Sequence, residues 1–433
     1  MWIRALIWFC IILITIYSLL SGFSSYILLS IYEDFRKDLL RDPTHEYKMT
    51  LKNAIDNIPC YNIDNGIPIM TKNKLKDSTC LNKNIIPMEF TKSMTTNSWS
   101  DQKTNTSNIF SMICAVLLFM TDHRTAIATV TGGTSGNSFF YWYNKPDAYE
   151  LLKSYFFCWE TFGWNPNKKV LIYYGHPSSG CSLIKYLSFC NINALLPVFH
   201  NGDIAESSII EFIAFIEQNR PYIVESMPNF IFRIAQYIYC KGIQLRHTIH
   251  GLSLSGDFLF HCQYEFIRRV FAGTTVLLSY GAVEFGQIAQ QATSDDLYTY
   301  RIFRQISHVE NIGDTLAITR YRYYNMPIIR YNVDDIGRVS EDGMFITDLV
   351  GKGRAGVDLL AINNAVEKLR CPDIINVRIR NDALILTVLG AINASLITTL
   401  EILTGYRVST ILCNDEACPT MDNMEGKVTP ILS

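Results

Sequence analysis

Apolar positions along this chain fall into three regimes. From Ala5 to Tyr32 no charged residue interrupts a run dominated by Ile, Leu, Phe, Tyr and Trp. A spanning helix needs roughly 20 apolar residues, so the run predicts one transmembrane helix within residues 1–36. From about Ile109, strand-length apolar runs alternate with stretches of helical period. Val170–Tyr174 predicts a buried strand, and Ile209, Phe212, Ile213 and Ile216 recur at helical spacing within 204–219. Tyr222–Val224 predicts the next strand. Pro228 then opens a helix over Phe230–Cys240, stopped at Gly242. Ile249–Leu254 predicts a strand, Cys262–Val270 a helix, and Thr275–Ser279 a strand that delivers Tyr280. From about Leu316 the segments become shorter and β-rich. After Lys352 about 80 residues read as a small α+β unit, within the lower range for a domain.

Strand–helix alternation of this kind implies an α/β fold with parallel-rich sheets and crossover helices. In such folds ligands bind beyond the carboxyl ends of the strands. The expected divisions are an N-terminal anchor over 1–36, a large domain over 37–352 and a small C-terminal domain over 353–433, joined by Gly351-Lys352-Gly353-Arg354. Asp38 to Lys76 reads as short helices packed on the large domain, and 91–108 as a surface loop. Arg4 stands nearly alone before the apolar run, whereas Arg36, Lys37, Arg41 and Lys48 follow it. That bias holds the C-terminal side in the cytoplasm. A cleaved signal peptide, processed near Ser21-Gly22 or Ser24-Ser25, is the rival reading.

Composition narrows the class. The chain has 433 residues, 48% hydrophobic and 18% charged, with net charge −2. There is ample material for a large core, and no basic stripe that would suit nucleic acid. Twelve cysteines are scattered without CxxC pairs. Cys413 and Cys418 lack the spacing or His partners of a zinc site, so buried free thiols in a reducing compartment are expected. His247 and His250 lack a third ligand. No Gly-x-Ser-x-Gly nucleophile elbow is present.

One loop stands out, Thr131-Gly132-Gly133-Thr134-Ser135-Gly136-Asn137 after the β-branched run Ile127–Val130. Its glycines permit tight turning, and its N–H groups with the Thr131, Thr134 and Ser135 hydroxyls suit phosphate oxygens. The same cluster also suits an ordinary turn. Downstream come Ser279-Tyr280-Gly281-Ala282-Val283-Glu284-Phe285-Gly286, then Met326-Pro327-Ile328-Ile329-Arg330-Tyr331-Asn332-Val333-Asp334-Asp335-Ile336-Gly337, and finally Glu425-Gly426-Lys427. Asn57–Tyr61 and Ile67–Lys72 add smaller echoes. In this order the motifs resemble the adenylate-forming (AMP-binding) superfamily. Most closely they resemble its phenylacetate–CoA ligase-like branch, which includes capsular-polysaccharide-associated relatives. The resemblance runs from about residue 50 to the C-terminus.

The resemblance implies a large adenylation domain with a small mobile C-terminal α+β domain, and roles for named residues. Thr131, Gly133, Thr134, Ser135 and Gly136 would grip the β and γ phosphates of ATP. Ser255, Gly256 and Asp257 would line the adenine pocket. Tyr280, with Gly281 beside it, would lie flat on adenine. Glu284 would contact Mg²⁺, which prefers carboxylate oxygen. Asp335 would accept the ribose hydroxyls. Asp334 replaces the branch's usual glycine, so two acids crowd each other and call for a cation, with Arg330 or Arg338 the candidates. Arg354 would begin the hinge, and Lys427 would swing in to bridge carboxylate and α-phosphate. Gly132, Asn137, Ser138 and the displaced acid at Asp358 depart from the branch's pattern.

The function so implied is ATP-dependent activation of a small carboxylic acid as an acyl adenylate. Pyrophosphate would leave, and the acyl group would pass to a thiol, most simply CoA as co-substrate. The expected location is a single-pass membrane anchor with the catalytic part in the cytoplasm; a homo-oligomer is left open. The alternative is a catalytically weak, membrane-tethered nucleotide-binding or scaffolding descendant of the same fold. A secreted structural protein is the third reading, and it requires signal-peptide cleavage.

Overall fold

The computed structural model of the chain describes residues 26–61, 69–75, 86–87, 125–130, 140–173, 191–195, 197–200, 203–294, 296–352, 358–369, 374–380, 383–389 and 392–412. Residues 1–25, the loop Thr131–Asn137, Arg354 and Lys427 lie outside them, as do Cys413, Cys418 and the expected loop at 91–108.

Strands β1 (Ile86–Pro87), β2 (Thr125–Val130) and β3 (Phe140–Asn144) form a small sheet, β1 parallel and β3 antiparallel to β2. Asn144 caps the helix Lys145–Glu160 by accepting from the Asp147 N–H. Next come β4 (Val170–Tyr173), β5 (Ile192–Leu195) and the short hairpin β6 (Phe199–His200) and β7 (Asp203–Ile204). Helix Glu206–Asn219 leads to β8 (Ile223–Ser226), helix Pro228–Cys240 to β9 (Gly251–Ser255), and helix His261–Val270 to β10 (Thr275–Ala282). These strands lie in the order β5-β4-β8-β9-β10, all parallel. Strands β4, β8 and β9 are buried along their whole length, as a parallel sheet covered on both faces requires.

The same sheet continues in the antiparallel sense. Strands β11 (Gly286–Thr293), β12 (Asp296–Ile302), β13 (Ser307–Ile312), β14 (Thr315–Arg320), β15 (Tyr331–Val339) and β16 (Phe345–Lys352) complete eleven strands. The β-rich half therefore starts at β11, before the Leu316 shift that the sequence pattern suggests. Gly351 and Lys352 end β16 rather than serving as linker. Helix Leu359–Lys368, β17 (Ile374–Arg380), β18 (Ala383–Val388), helix Ala394–Thr404 and β19 (Arg407–Leu412) build a second, smaller α+β unit around its own three-stranded sheet. It rests on helix His261–Val270. There the His261 N–H donates to Asn363 Oδ1 (2.9 Å), Gln263 Nε2 donates to Asn376 Oδ1 (2.6 Å), and His261 Nδ1 lies 2.9 Å from Glu367.

The N-terminal apolar run divides in two. Residues 26–38 are helical and belong to the folded body, not to a bilayer: Leu28, Ile31 and Phe35 pack with Phe156, Phe157, Trp159 and Trp164. This helix is also pinned by charge. Lys153 Nζ lies 2.7 Å from Asp34, 2.8 Å from Asp38 and 2.6 Å from Glu150, while Arg322 reaches Asp38 at 3.1 Å and Glu150 at 2.9 Å. Among the described residues, no helix is long and apolar enough to cross a membrane.

The cysteines correct a second expectation. Cys158 and Cys262 are free thiols, but Cys60 and Cys240 are disulfide-bonded. Scattered spacing gave no sign of these bonds, because partners in a disulfide need proximity in space and not in sequence.

Candidate functional site

The residues singled out by sequence gather at the carboxyl ends of β9 and β10 and along β15. Ser255 is the last residue of β9. Gly256 follows with φ +107°, a conformation that L side chains rarely adopt, and turns the chain toward Asp257. Tyr280 and Gly281 lie near the end of β10, where a bulge shifts the register against β11. A Cβ on Gly281 would fall 2.4 Å from the Gly286 carbonyl oxygen and 2.6 Å from Gln287 Oε1, so only glycine fits this crossing.

Tyr280 and Asp335, 55 residues apart in sequence, meet directly: the Tyr280 hydroxyl donates to Asp335 Oδ2 at 2.7 Å. Beside them the Tyr331 hydroxyl donates to Glu284 Oε1 at 3.4 Å. Burial pushes both phenols well above their ordinary range, and Asp335 and Glu284 push the same way. Both therefore stay neutral donors.

Glu284 sits 7% exposed on a turn held from both sides. The Tyr143 hydroxyl donates to the Val283 carbonyl, and buried Arg320 donates through Nε to the Phe285 carbonyl at 3.0 Å. The turn is thus fixed independently of any ligand. One carboxylate so presented suits Mg²⁺, which is commonly held by one or two carboxylates together with substrate phosphates. Among the described residues, the carboxylates grouped closely enough to hold an ion are Asp34, Asp38 and Glu150. Lys153 already occupies that cluster, which makes it an ion-pair network.

The structure adds detail at three places. First, Asp334 and Asp335 need no cation between them. Asn332 and Ile336 pair with Ala317 and Thr315, so three residues of β15 bulge opposite one of β14. Asp334 adopts φ 61° at the bulge and is exposed, while half-buried Asp335 meets Tyr280. Arg330 pairs with Glu310, at 2.9 and 3.2 Å. Second, Ser255 is buried and engaged by protein: it donates to Glu225 Oε1 at 3.5 Å and accepts from Gln287 Nε2 at 3.0 Å. It supports the turn. Third, His247 and His250 have structural partners. His247 Nε2 lies 3.0 Å from the Pro221 carbonyl, and His250 stacks on Tyr222.

Sequence reasoning passed over Glu225, Gln287, Tyr143 and Asp147. Glu225 left a trace, a charge inside the apolar strand Ile223-Val224-Glu225. Asp147 left none. Its two oxygens accept from the Tyr324 and Asn325 N–H groups and so hold the segment entering the Met326–Gly337 motif. Burial pushes this carboxyl up to about 7, against the pull of those N–H groups and of Arg320. The folded protein therefore keeps the proton more tightly than the unfolded chain. The stability this group contributes is full below about pH 4, falls as pH rises to about 7 and is level above, by about 4 kcal/mol in total. Asp147→Asn is expected to remove that slope, read as the difference between wild-type and variant urea midpoints from pH 4 to 8.

No protein-family model matches the chain, and no curated protein matches it. Among solved structures it is similar to 2-hydroxyisobutyryl-CoA ligase in the postadenylation state in complex with 2-HIB-AMP. The TM-score is 0.53 at 12% identity, covering 88% of this chain and 86% of that one. The same ligase with R3-HIB-AMP gives 0.52 at 11% identity, covering 89% and 87%. The chain thus shares the fold of this CoA ligase over most of both lengths.

Proposed function

We propose that the protein activates a carboxylic acid with ATP, forming an acyl adenylate and releasing pyrophosphate, and then passes the acyl group to a thiol, CoA in the simplest case. One observation carries this reading. Tyr280, Asp335 and Glu284 converge at the strand ends of a fold shared with a CoA ligase captured holding an acyl-AMP. The motifs that resemble the phenylacetate–CoA ligase-like branch supply the same three residues.

In this reading Asp335 accepts the ribose hydroxyls, with its orientation set by the Tyr280 phenol. The Tyr280 ring forms the wall against the base, and the glycine at 281 keeps that wall close to the strand. Glu284 is the residue that would hold Mg²⁺, which when bound neutralises phosphate charge. Ser255 and Gly256 set the turn that carries Asp257 to the base. By resemblance, Thr131, Gly133, Thr134, Ser135 and Gly136 grip the outer phosphates, Arg354 begins the hinge and Lys427 meets the carboxylate at the α-phosphate. Attack of the acid's oxygen on the α-phosphorus expels pyrophosphate. Holding two anions in line is the larger part of the task.

Residues before Tyr26 act as the membrane anchor in this reading, with the body on the cytoplasmic side. The disulfides at Cys60 and Cys240 bear on that side, since such bonds persist in oxidising compartments. Alkylation of thiols in intact cells tests it, because cysteines recovered oxidised would move the body out of the cytoplasm. The activity is tested by pyrophosphate release from the full chain with ATP, Mg²⁺ and a panel of aromatic and aliphatic acids. Acid-dependent release is expected. ATP binding without release under any acid would replace the ligase with a non-catalytic nucleotide-binding descendant.

A further inference from the structure

Beneath the site lies a polar seam in an otherwise apolar sheet face. Glu225 on β8 is paired across the strands with Ser253, Ser255 with Ser279, and Ser279 with Gln290, so one face carries an acid, three hydroxyls and an amide. All five are nearly or fully buried, and Glu225 is 0% exposed. A carboxylate there is costly unless hydrogen-bonded. Trp159 Nε1 donates to its Oε2 at 3.1 Å, and Ser255 donates to its Oε1 at 3.5 Å.

The direction of these bonds is not interchangeable. An indole N–H can only donate, which obliges Glu225 to accept. The proton of Ser255 is then committed to Glu225, which leaves its lone pairs for Gln287 Nε2 at 3.0 Å. The Gln287 backbone N–H donates to Ser154 Oγ at 3.0 Å, closing the path back to the helix that carries Trp159. Gln287 is also the partner of Gly281 between β10 and β11, and its Oε1 would lie 2.6 Å from a Cβ placed on Gly281. The hydrogen bonds from Glu225 through Ser255 to Gln287, together with the pairing of Gln287 with Gly281, therefore join the turn Ser255-Gly256-Asp257 to the Tyr280-Gly281 crossing.

We propose that Glu225 is a positioning residue that sets the spacing of these two loops, and with it the affinity for nucleotide. This rests on the ATP reading above. In Glu225→Gln the side-chain shape is kept, but the new NH₂ can only face Ser255, because facing Trp159 would oppose two donors. Ser255 must then accept from both sides, and its proton loses its acceptor. Adding Gln287→Glu supplies an acceptor on the other side and reverses the two bonds made by Ser255, with Trp159 donating as before.

The experiment is calorimetric ATP binding by the full chain, with thermal unfolding alongside. E225Q is expected to weaken ATP about tenfold, with the melting temperature lowered by a few degrees and the chain still folded at the assay temperature. The E225Q/Q287E double variant is expected to recover most of the loss, a rescue that a purely structural role would not give. Ser255→Ala, which removes only the shared hydroxyl, should weaken ATP by a similar factor and serves if E225Q fails to fold. Wild-type affinity in E225Q or in Ser255→Ala overturns the proposal while leaving the ATP reading intact, and so does a double variant no better than E225Q. A wild-type chain that binds no ATP overturns both.

Discussion

Lys153→Met is expected to lower the stability of the protein by roughly 3–5 kcal/mol, the range for breaking a buried ion pair from one side. The ammonium is 1% exposed and lies within 2.8 Å of Asp34, Asp38 and Glu150. Methionine fills the space of the stem but leaves three carboxylates whose oxygens lie within 4.8 Å of one another. Arg322 compensates Asp38 and Glu150 only in part, and Asp34 loses its 2.7 Å contact. The effect has a pH signature. Burial pushes the Glu150 carboxyl up, but Arg322 and Lys153 outweigh it and hold the group below its ordinary value. That contribution is present above about pH 4.5 and is lost as pH falls through the lower, folded value. Without Lys153 the acids repel, and acid relieves them. The wild-type and variant stability curves should therefore converge below about pH 4.5, measured as urea midpoints. A constant gap down to pH 3 would mean that the network is not what the substitution broke.

Glu284→Gln is expected to reduce pyrophosphate release at least about 100-fold while the protein stays folded. Glutamine keeps the volume, and the Tyr331 hydroxyl can still donate to its carbonyl oxygen, so the turn anchored by Tyr143 and Arg320 is undisturbed. What is removed, in the proposed reaction, is the carboxylate charge that would hold Mg²⁺. The loss should appear in turnover, and the Mg²⁺ concentration for half-maximal release should rise. Tyr331→Phe gives the contrast. Its bond to Glu284 is 3.4 Å long, so a loss of only a few-fold is expected. Equal losses in both variants would place the effect in the packing of the turn and not in the charge of Glu284.

The parallel half of the sheet was legible in the chain. Continuous apolar runs at 170, 223 and 249, each followed by a helical period, became β4, β8 and β9 with boundaries close to those expected. Strands buried on both faces advertise themselves in this way. The antiparallel half was less legible, because β11 to β16 mix exposed and buried positions and bulge at 280, 315 and 336. At the site, Tyr280, Glu284 and Asp335 were legible as motif residues, but their partners were not. That Tyr280 meets Asp335, or that Glu225 meets Trp159 66 residues away, depends on strand order, which no local pattern encodes. The pairing of Lys153 with Asp38 lies further beyond reach, since residues 26–32 read as the end of an apolar run and Asp38 as part of the charged stretch after it. Only three positions of the helix over 26–38, Leu28, Ile31 and Phe35, turn out to be core.

That short helix also determines what a pull on the N-terminal end would do. Tension at Tyr26 would reach the body through the Phe35 packing and through Asp34 and Asp38, whose partners Lys153 and Arg322 sit on separate segments. Arg322 is followed within three residues by Tyr324 and Asn325, whose N–H groups Asp147 holds, and these lead into the strand bearing Asp335. Force at that end would thus be delivered to the segment that frames the proposed nucleotide site. A molecule held at a membrane by that end would carry its attachment point and its active-site frame on one mechanical linkage.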